Sequence, residues 1–277
     1  MTPTQAVERL VHATVQLNDA DLERPYAWRD YDEDGLRFAL LTAHHLLRDA
    51  AAAVASIRDG AGEPPTAAQR ILAQFHEAYR DLTGALAGTT EEDLDRDPGA
   101  GQWTLRAVLG HALDAESAFG TAILLALEAA RAGRPPARPT KEQWELREVV
   151  AETPSGSRGD ALNALFRSHL AILRALGPVT DDELELPSFF WESDGYPVRF
   201  RMHRFEEHLR QHTIQADKTL AAIGHPPSEA ERLVRNLYTA LAGVESASSG
   251  SECGRDVLER CASAIDGIAA DVERLVA

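Results

Sequence analysis

The chain is poor in the features that mark several large protein classes. It contains two cysteines, Cys253 and Cys261. Along a helix their spacing corresponds to about 12 Å of axial rise, beyond the reach of a disulfide. Neither has CxxC spacing, so both read as free thiols in a reducing cytoplasm. Aromatic residues make up only 6%, β-branched runs are scarce, and no stretch alternates apolar with polar residues as a strand would. No apolar run reaches the ~18 residues needed to cross a bilayer; the longest, around Thr121 to Ala130, is interrupted by Glu128. The first thirty residues are polar and charged, and are not expected to act as a signal peptide. Long basic runs and internal repeats are missing as well.

What the chain does have is alanine and leucine in abundance, a composition that favours helices. Its 277 residues suffice for one large domain or two small ones with a real core. Hydrophobic residues at 44% and charged residues at 26% are ordinary for a soluble globular protein. The net charge of −16 would repel a phosphate backbone or an anionic membrane. The expected partner is therefore a small-molecule substrate, with no nucleic acid and no membrane, and a homodimer is left open.

Helices are expected over Thr4 to Asp19 and, after the acidic turn DYDEDG, over Asp34 to Ile57. DGAGEPP reads as a linker. Beyond Thr66, Ile71, Phe75, Tyr79, Leu82 and Leu86 form a helical stripe. TTEEDLDRDPGAGQ reads as a loop before a second long helix, Thr104 to Arg131. AGRPPARPT breaks that helix, a short one is expected over Lys141 to Val150, and a third long helix spans Asp160 to Leu176. GPVTDDELELPSFFWESDGYP is a long aromatic-rich connection of the kind that is more often functional than idle. The fourth long helix runs from Val198 to Ile223, and two more helices flank SASSGSECG in the tail. Four long helices joined by loops suggest a bundle, in which facing side chains can build a site.

The fourth helix carries EEHLRQHTIQ, with His208 and His212 one turn apart on one face. HExxH metalloproteases share this spacing, but Leu209 stands where their glutamate would be. Such pairs arise readily by chance, and alone they read as structural histidines. The second helix opens with Thr104 as N-cap, and Trp103 and Val108 have the spacing of a hydrophobic staple. His111 follows on or near the buried face, between the small residues Ala107 and Ala115. Three inward histidines on two helices form a more specific arrangement than one pair.

WTLRAVLGHALDAE resembles the second-helix motif of the DinB-like, or YfiT-like, family of metalloenzymes, and HLRQHTIQ resembles its fourth-helix HxxxHxxQ motif. The resemblance covers about Thr66 to Gly224. It implies an all-α fold: an up-down four-helix bundle with extra helices at both termini. The expected boundaries are an N-terminal extension over residues 1–60, the bundle over 66–226, and a C-terminal extension over 227–277. It also implies a divalent metal held by His111, His208 and His212, with Gln215 on the family's glutamine position.

Three neutral imidazoles on a borderline ion leave an open coordination position, as catalytic sites do. Zinc, nickel, iron(II) and cobalt all suit such ligands. Bound water or a bound thiol would be acidified there, so hydrolysis and thiol transfer both remain open. Thiol-dependent relatives in the family bring a low-molecular-weight thiol into consideration as cofactor, for a transferase or isomerase. A metal-dependent hydrolase and a non-catalytic helical binding module are the alternatives. Asp114 reads either as a solvated helix residue or as the partner of a ligand's second ring nitrogen, and Arg204, one turn before His208, is a candidate to attract an anionic group. Trp191 and Phe190 would wall the pocket mouth or anchor the loop. Glu207, Asp217 and Lys218 read as solvated face, His203 as off the site's face, and His76 as a core or boundary histidine. Of the adjacent pair His44 and His45, one is expected to face solvent.

Overall fold

Helix signals in the sequence account for most of the elements. The structure is a computed structural model that describes residues 1–99, 101–145, 152–192 and 194–277. In chain order the helices are α1 (Pro3–Thr14), α2 (Asp19–Leu22), α3 (Arg37–Gly60), α4 (Ala67–Ala85), α5 (Glu91–Asp95), α6 (Leu105–Arg131), α7 (Lys141–Glu145) and α8 (Arg158–Leu176). A 3-10 turn (Asp182–Glu185) and the two short strands β1 (Pro187–Ser188) and β2 (Tyr196–Pro197) lead into α9 (Val198–Ala222), and α10 (Glu229–Ser248) and α11 (Arg255–Val276) follow. The four long bundle helices lie where the apolar periodicity puts them. Residues 146–150 of the short helix expected from Lys141 lie outside the described residues.

Three local features depart from the expectations. TTEEDLDRDPGAGQ contains α5, because Thr90 and Asp93 form a reciprocal capping box that closes a turn in an otherwise loop-like stretch. The aromatic-rich connection holds a two-stranded antiparallel ribbon, with Pro187 opposite Pro197 and Ser188 opposite Tyr196. It is too short to show alternation in the sequence. Cys253 precedes α11, whereas Cys261 lies within it, and both are free thiols. No helix among the described residues is long and apolar enough to cross a membrane.

The chain divides into two compact units. One comprises residues 1–64, 80–89 and 225–277, the other 65–79 and 90–224. In the first, α3 packs on α10 and α11, and α1 packs on α11 and α10. Leu10, Leu40, Leu47, Leu237, Leu241 and Ile265 are fully buried in their shared core, and each such side chain contributes roughly 1.5–3 kcal/mol. Arg9 bonds Asp266 and Glu273 across this unit, and Arg37 does the same with Glu229. Both terminal segments of the chain thus belong to one core.

In the second unit the first turns of α4 join α6, α8 and α9. Asp181, just after α8, accepts the N–H groups of Ala67 and Ala68 at the start of α4. Arg131 at the end of α6 bonds Glu183, and Val198 at the start of α9 donates to Leu186. The ends of α6 and α8 therefore lie beside the starts of α4 and α9, and the chain runs up, down, down, up. That order refines the expected up-down bundle. Residues 132–157 separate α6 from α8 in the sequence, and helices running in the same direction need a connection that long. Phe75, Leu109, Leu113, Phe205 and Leu209 lie in the core of this unit.

Candidate metal centre

α9 owes its orientation to a core face of Val198, Met202, Phe205, Leu209 and Ala216, all buried. His208 and His212 flank that face and are buried too. On α6, Thr104 caps the helix by accepting from the Ala107 N–H at 3.3 Å. Arg106 bonds Asp95 at 2.7 and 2.8 Å, which pins the first turn. His111 follows on the exposed rim of the helix, because the core stripe runs through Val108, Ala112 and Phe119 beside it. Trp103 lies edge-on to His111 at 5.0 Å and is half exposed, where a staple would bury it.

The three histidines, from two helices, meet. Their rings lie 4.3 to 5.2 Å apart, and one ring nitrogen of each lies within 4.8 Å of the others. His208 Nε2 and His212 Nε2 face each other at 3.0 Å. Gln215 Oε1, one turn on, is 2.9 Å from His212 Nδ1. An amide oxygen can only accept, so Nδ1 of His212 carries the hydrogen and its Nε2 presents a lone pair. In the metal-free chain His208 Nε2–H can donate to that lone pair, and with Nε2 deprotonated both ring nitrogens would offer lone pairs to a cation. Burial, then the neighbouring histidines, then Arg204 push the His208 pKa down to about 3. Burial also lowers that of His212, although Gln215 works against it. The pair is thus held neutral at physiological pH, as metal ligation requires, and nitrogen donors of this kind suit borderline divalent ions.

A pocket of about 500 Å³ opens beside His111 and His208. Asp114, Ala115 and Ala118 of α6 line one side, and Phe200, Arg201 and Arg204 of α9 another. Phe190, Trp191, Glu192 and Tyr196 close it from the ribbon. Trp191 is 76% exposed and stands at the mouth. Arg201 fixes this wall: fully buried, it donates to Ser188 Oγ at 2.9 Å and to Glu192 at 2.8 and 3.2 Å. Arg204 donates from Nη1 to Glu207 at 2.9 Å, and its guanidinium lies 5.8 Å from the Phe119 ring. A second depression of about 490 Å³ includes Gln102, Trp103, Gln211, Gln215 and Lys218. None of the three histidines lines this second depression, but Trp103 and Gln215 in its wall contact His111 and His212.

The comparison with protein families bears directly on this geometry. The DinB superfamily model matches residues 74–216, slightly more than half of the chain. The chain belongs to the DinB superfamily. The matched span begins in α4 and ends beyond His212, so all three histidines of the cluster lie within this DinB region. Comparisons with curated proteins and with solved structures return no match.

Other sequence-marked residues fall outside the cluster. His76 Nδ1 is 2.8 Å from His169 Nε2, and His169 stacks on Tyr79 with ring centres 3.9 Å apart, so His76 is a boundary residue. His45 is exposed beside Asp49, and Glu207 is on the surface. One DinB-region residue went unassigned in the sequence reading: Glu116, five residues past His111 on the core face of α6. It is fully buried, and neither carboxylate oxygen has a hydrogen-bond partner among the described residues. Burial pushes its pKa up to about 8, so it is protonated at neutral pH. A charged residue in line with Ala112 and Phe119 was the available sign. Arg201 and Glu192 were missed because their pairing depends on the ribbon.

Proposed function

We propose that this DinB protein is a metal-dependent enzyme acting on a small molecule, with His111, His208 and His212 as ligands to one divalent ion. The observation that carries the reading is the convergence of three ring nitrogens within 4.8 Å, beside a pocket of about 500 Å³. A divalent ion there would act as a Lewis acid, acidifying a bound thiol or water. Gln215 would hold His212 in the tautomer that offers Nε2, and Asp114 and Arg204 would line the substrate's path.

Thiol-dependent transfer is the preferred chemistry. Leu209, at the position of the HExxH glutamate, is buried in the core, so α9 supplies no base to take a proton from water. A thiol needs less help, because its ordinary pKa of about 8.5 lies near neutrality. Metal-dependent hydrolysis is the second reading, favoured by the carboxylate of Asp114 in the pocket wall.

Cobalt-substituted protein titrated with small thiols tests the preference. Thiol transfer predicts a sulfur-to-metal charge-transfer band in the near ultraviolet. If no thiol alters the spectrum while simple esters are cleaved metal-dependently, the hydrolytic reading replaces it.

A further inference from the structure

The pocket beside His111 and His208 contains two guanidinium groups in different situations. Arg201 is almost fully engaged: Nε donates to Ser188 Oγ, Nη1 to Glu192, and Nη2 to Glu192 and the Ser188 carbonyl. Its side chain is 1% exposed, so it belongs to the wall. Arg204 has one bond, from Nη1 to Glu207 of the same helix, and that carboxylate is itself 59% exposed. Exposed pairs of this kind are weak and exchange readily with water. Nε and Nη2 of Arg204 have no hydrogen-bond partner among the described residues. One turn of α9 separates Arg204 from His208.

The remaining surface is mostly aromatic. The Arg204 guanidinium lies 5.8 Å from the Phe119 ring, Phe190 and Tyr196 lie against the Arg201 guanidinium, and Phe200 also lines the pocket. Nε and Nη2 lie on one edge of the planar guanidinium, the pair of N–H groups that can grip a carboxylate with two parallel bonds. Asp114 and Glu192 also line the pocket and oppose a second negative charge on a ligand. Among the described residues of the pocket, one guanidinium with open donors, nearby acids and aromatic walls select for a single anionic group on an apolar body.

We propose that the pocket takes a small monocarboxylate with an aromatic or branched apolar body, its carboxylate paired with Arg204 and its body against Phe119, Phe190 and Phe200. This deepens the metalloenzyme reading by naming the substrate class. The carboxylate end sits about one helical turn from the histidines, with the body extending along the aromatic wall.

The experiment measures binding of three acids to the full chain, each beside its neutral amide: benzoate, 3-phenylpropanoate and 4-methylpentanoate. Titrations are run on metal-loaded and chelator-treated protein, for wild type, Arg204→Gln and Arg204→Lys, with the metal content of each determined separately. At least one acid should bind wild type ten-fold or more tighter than its amide. Arg204→Gln should erase that preference without altering metal content, and Arg204→Lys should keep part of it. An acid preference that survives Arg204→Gln but disappears with the metal would place the carboxylate on the ion, overturning the proposal while leaving the metal reading intact. A preference that depends on Arg204 in protein that takes up no metal would do the reverse. Equal binding of every acid and amide, or no acid binding at millimolar concentration, also overturns it.

Discussion

His212 Nδ1 and Gln215 Oε1 lie 2.9 Å apart, one turn along α9, and that contact turns His212 Nε2 toward His208 Nε2 at 3.0 Å. In the proposed centre the glutamine would act on the metal through the histidine. Replacing Gln215 with leucine should weaken metal affinity about 10–100-fold, the usual effect of losing a partner that orients a ligating histidine. Competition with a chromophoric chelator measures this, and unchanged affinity would remove Gln215 from the centre.

Acid should act on the metal-free protein through the same histidines. With the folded-state pKa of His208 at about 3 and that of His212 lowered, the unfolded chain takes up their protons first, near ~6.5. Stability contributed by the neutral forms is full above that pH and is lost as pH falls from about 6.5 toward 3. Melting temperatures of chelator-treated protein should drop between pH 7 and pH 5. Added metal should raise the melting temperature at pH 7 and lose that effect as acid displaces the ion.

Glu116 should produce the opposite slope. Its folded pKa of about 8 lies above the ordinary carboxylate value, so the folded state holds a proton that the unfolded state has released. Stability from this group is full below about pH 4.5 and is lost as pH rises through 8. Glu116→Gln should flatten that alkaline loss, and Glu116→Leu should stabilise the protein by on the order of 1–3 kcal/mol at pH 9, by removing a buried polar group without partners. Urea unfolding at pH 6 and pH 9 reads both effects.

Arg201 holds the ribbon that walls the pocket. Arg201→Met leaves Glu192 unpaired and should cost about 3 kcal/mol, seen as a lower urea midpoint. Arg201→Met with Glu192→Gln should recover part of that loss, because the stranded charge is then gone.

How much of this could be read from the sequence depended on the range of the interaction. The bundle helices were visible because Ile71, Phe75, Tyr79 and their counterparts repeat at 3.6 residues, and Thr104 marks a helix start through a contact three residues away. The three histidines were legible because their spacing within α9, and their place relative to the Thr104 cap in α6, form short motifs. The Arg201–Glu192–Ser188 network was hidden, since it depends on a ribbon of two-residue strands with no periodicity. Chain direction was also hidden: AGRPPARPT shows where α6 ends, but not that α8 starts at the opposite end of the unit and runs parallel to α6. Glu116 shows the limit from another side, for sequence favours a solvated carboxylate and only packing places it in the core. The common core of the terminal helices lay equally out of reach, because its contacts join residues near opposite ends of the chain.

The central claim is that His111, His208 and His212 together bind one metal ion. Elemental analysis of wild type beside His111→Ala, His208→Ala and His212→Ala, each purified identically and shown to be folded by circular dichroism, tests it most directly. The account predicts about one divalent ion per wild-type chain and a small fraction of that in each variant. Equal metal in all four proteins, or none in wild type supplied with zinc, nickel, iron(II) or cobalt, would contradict it.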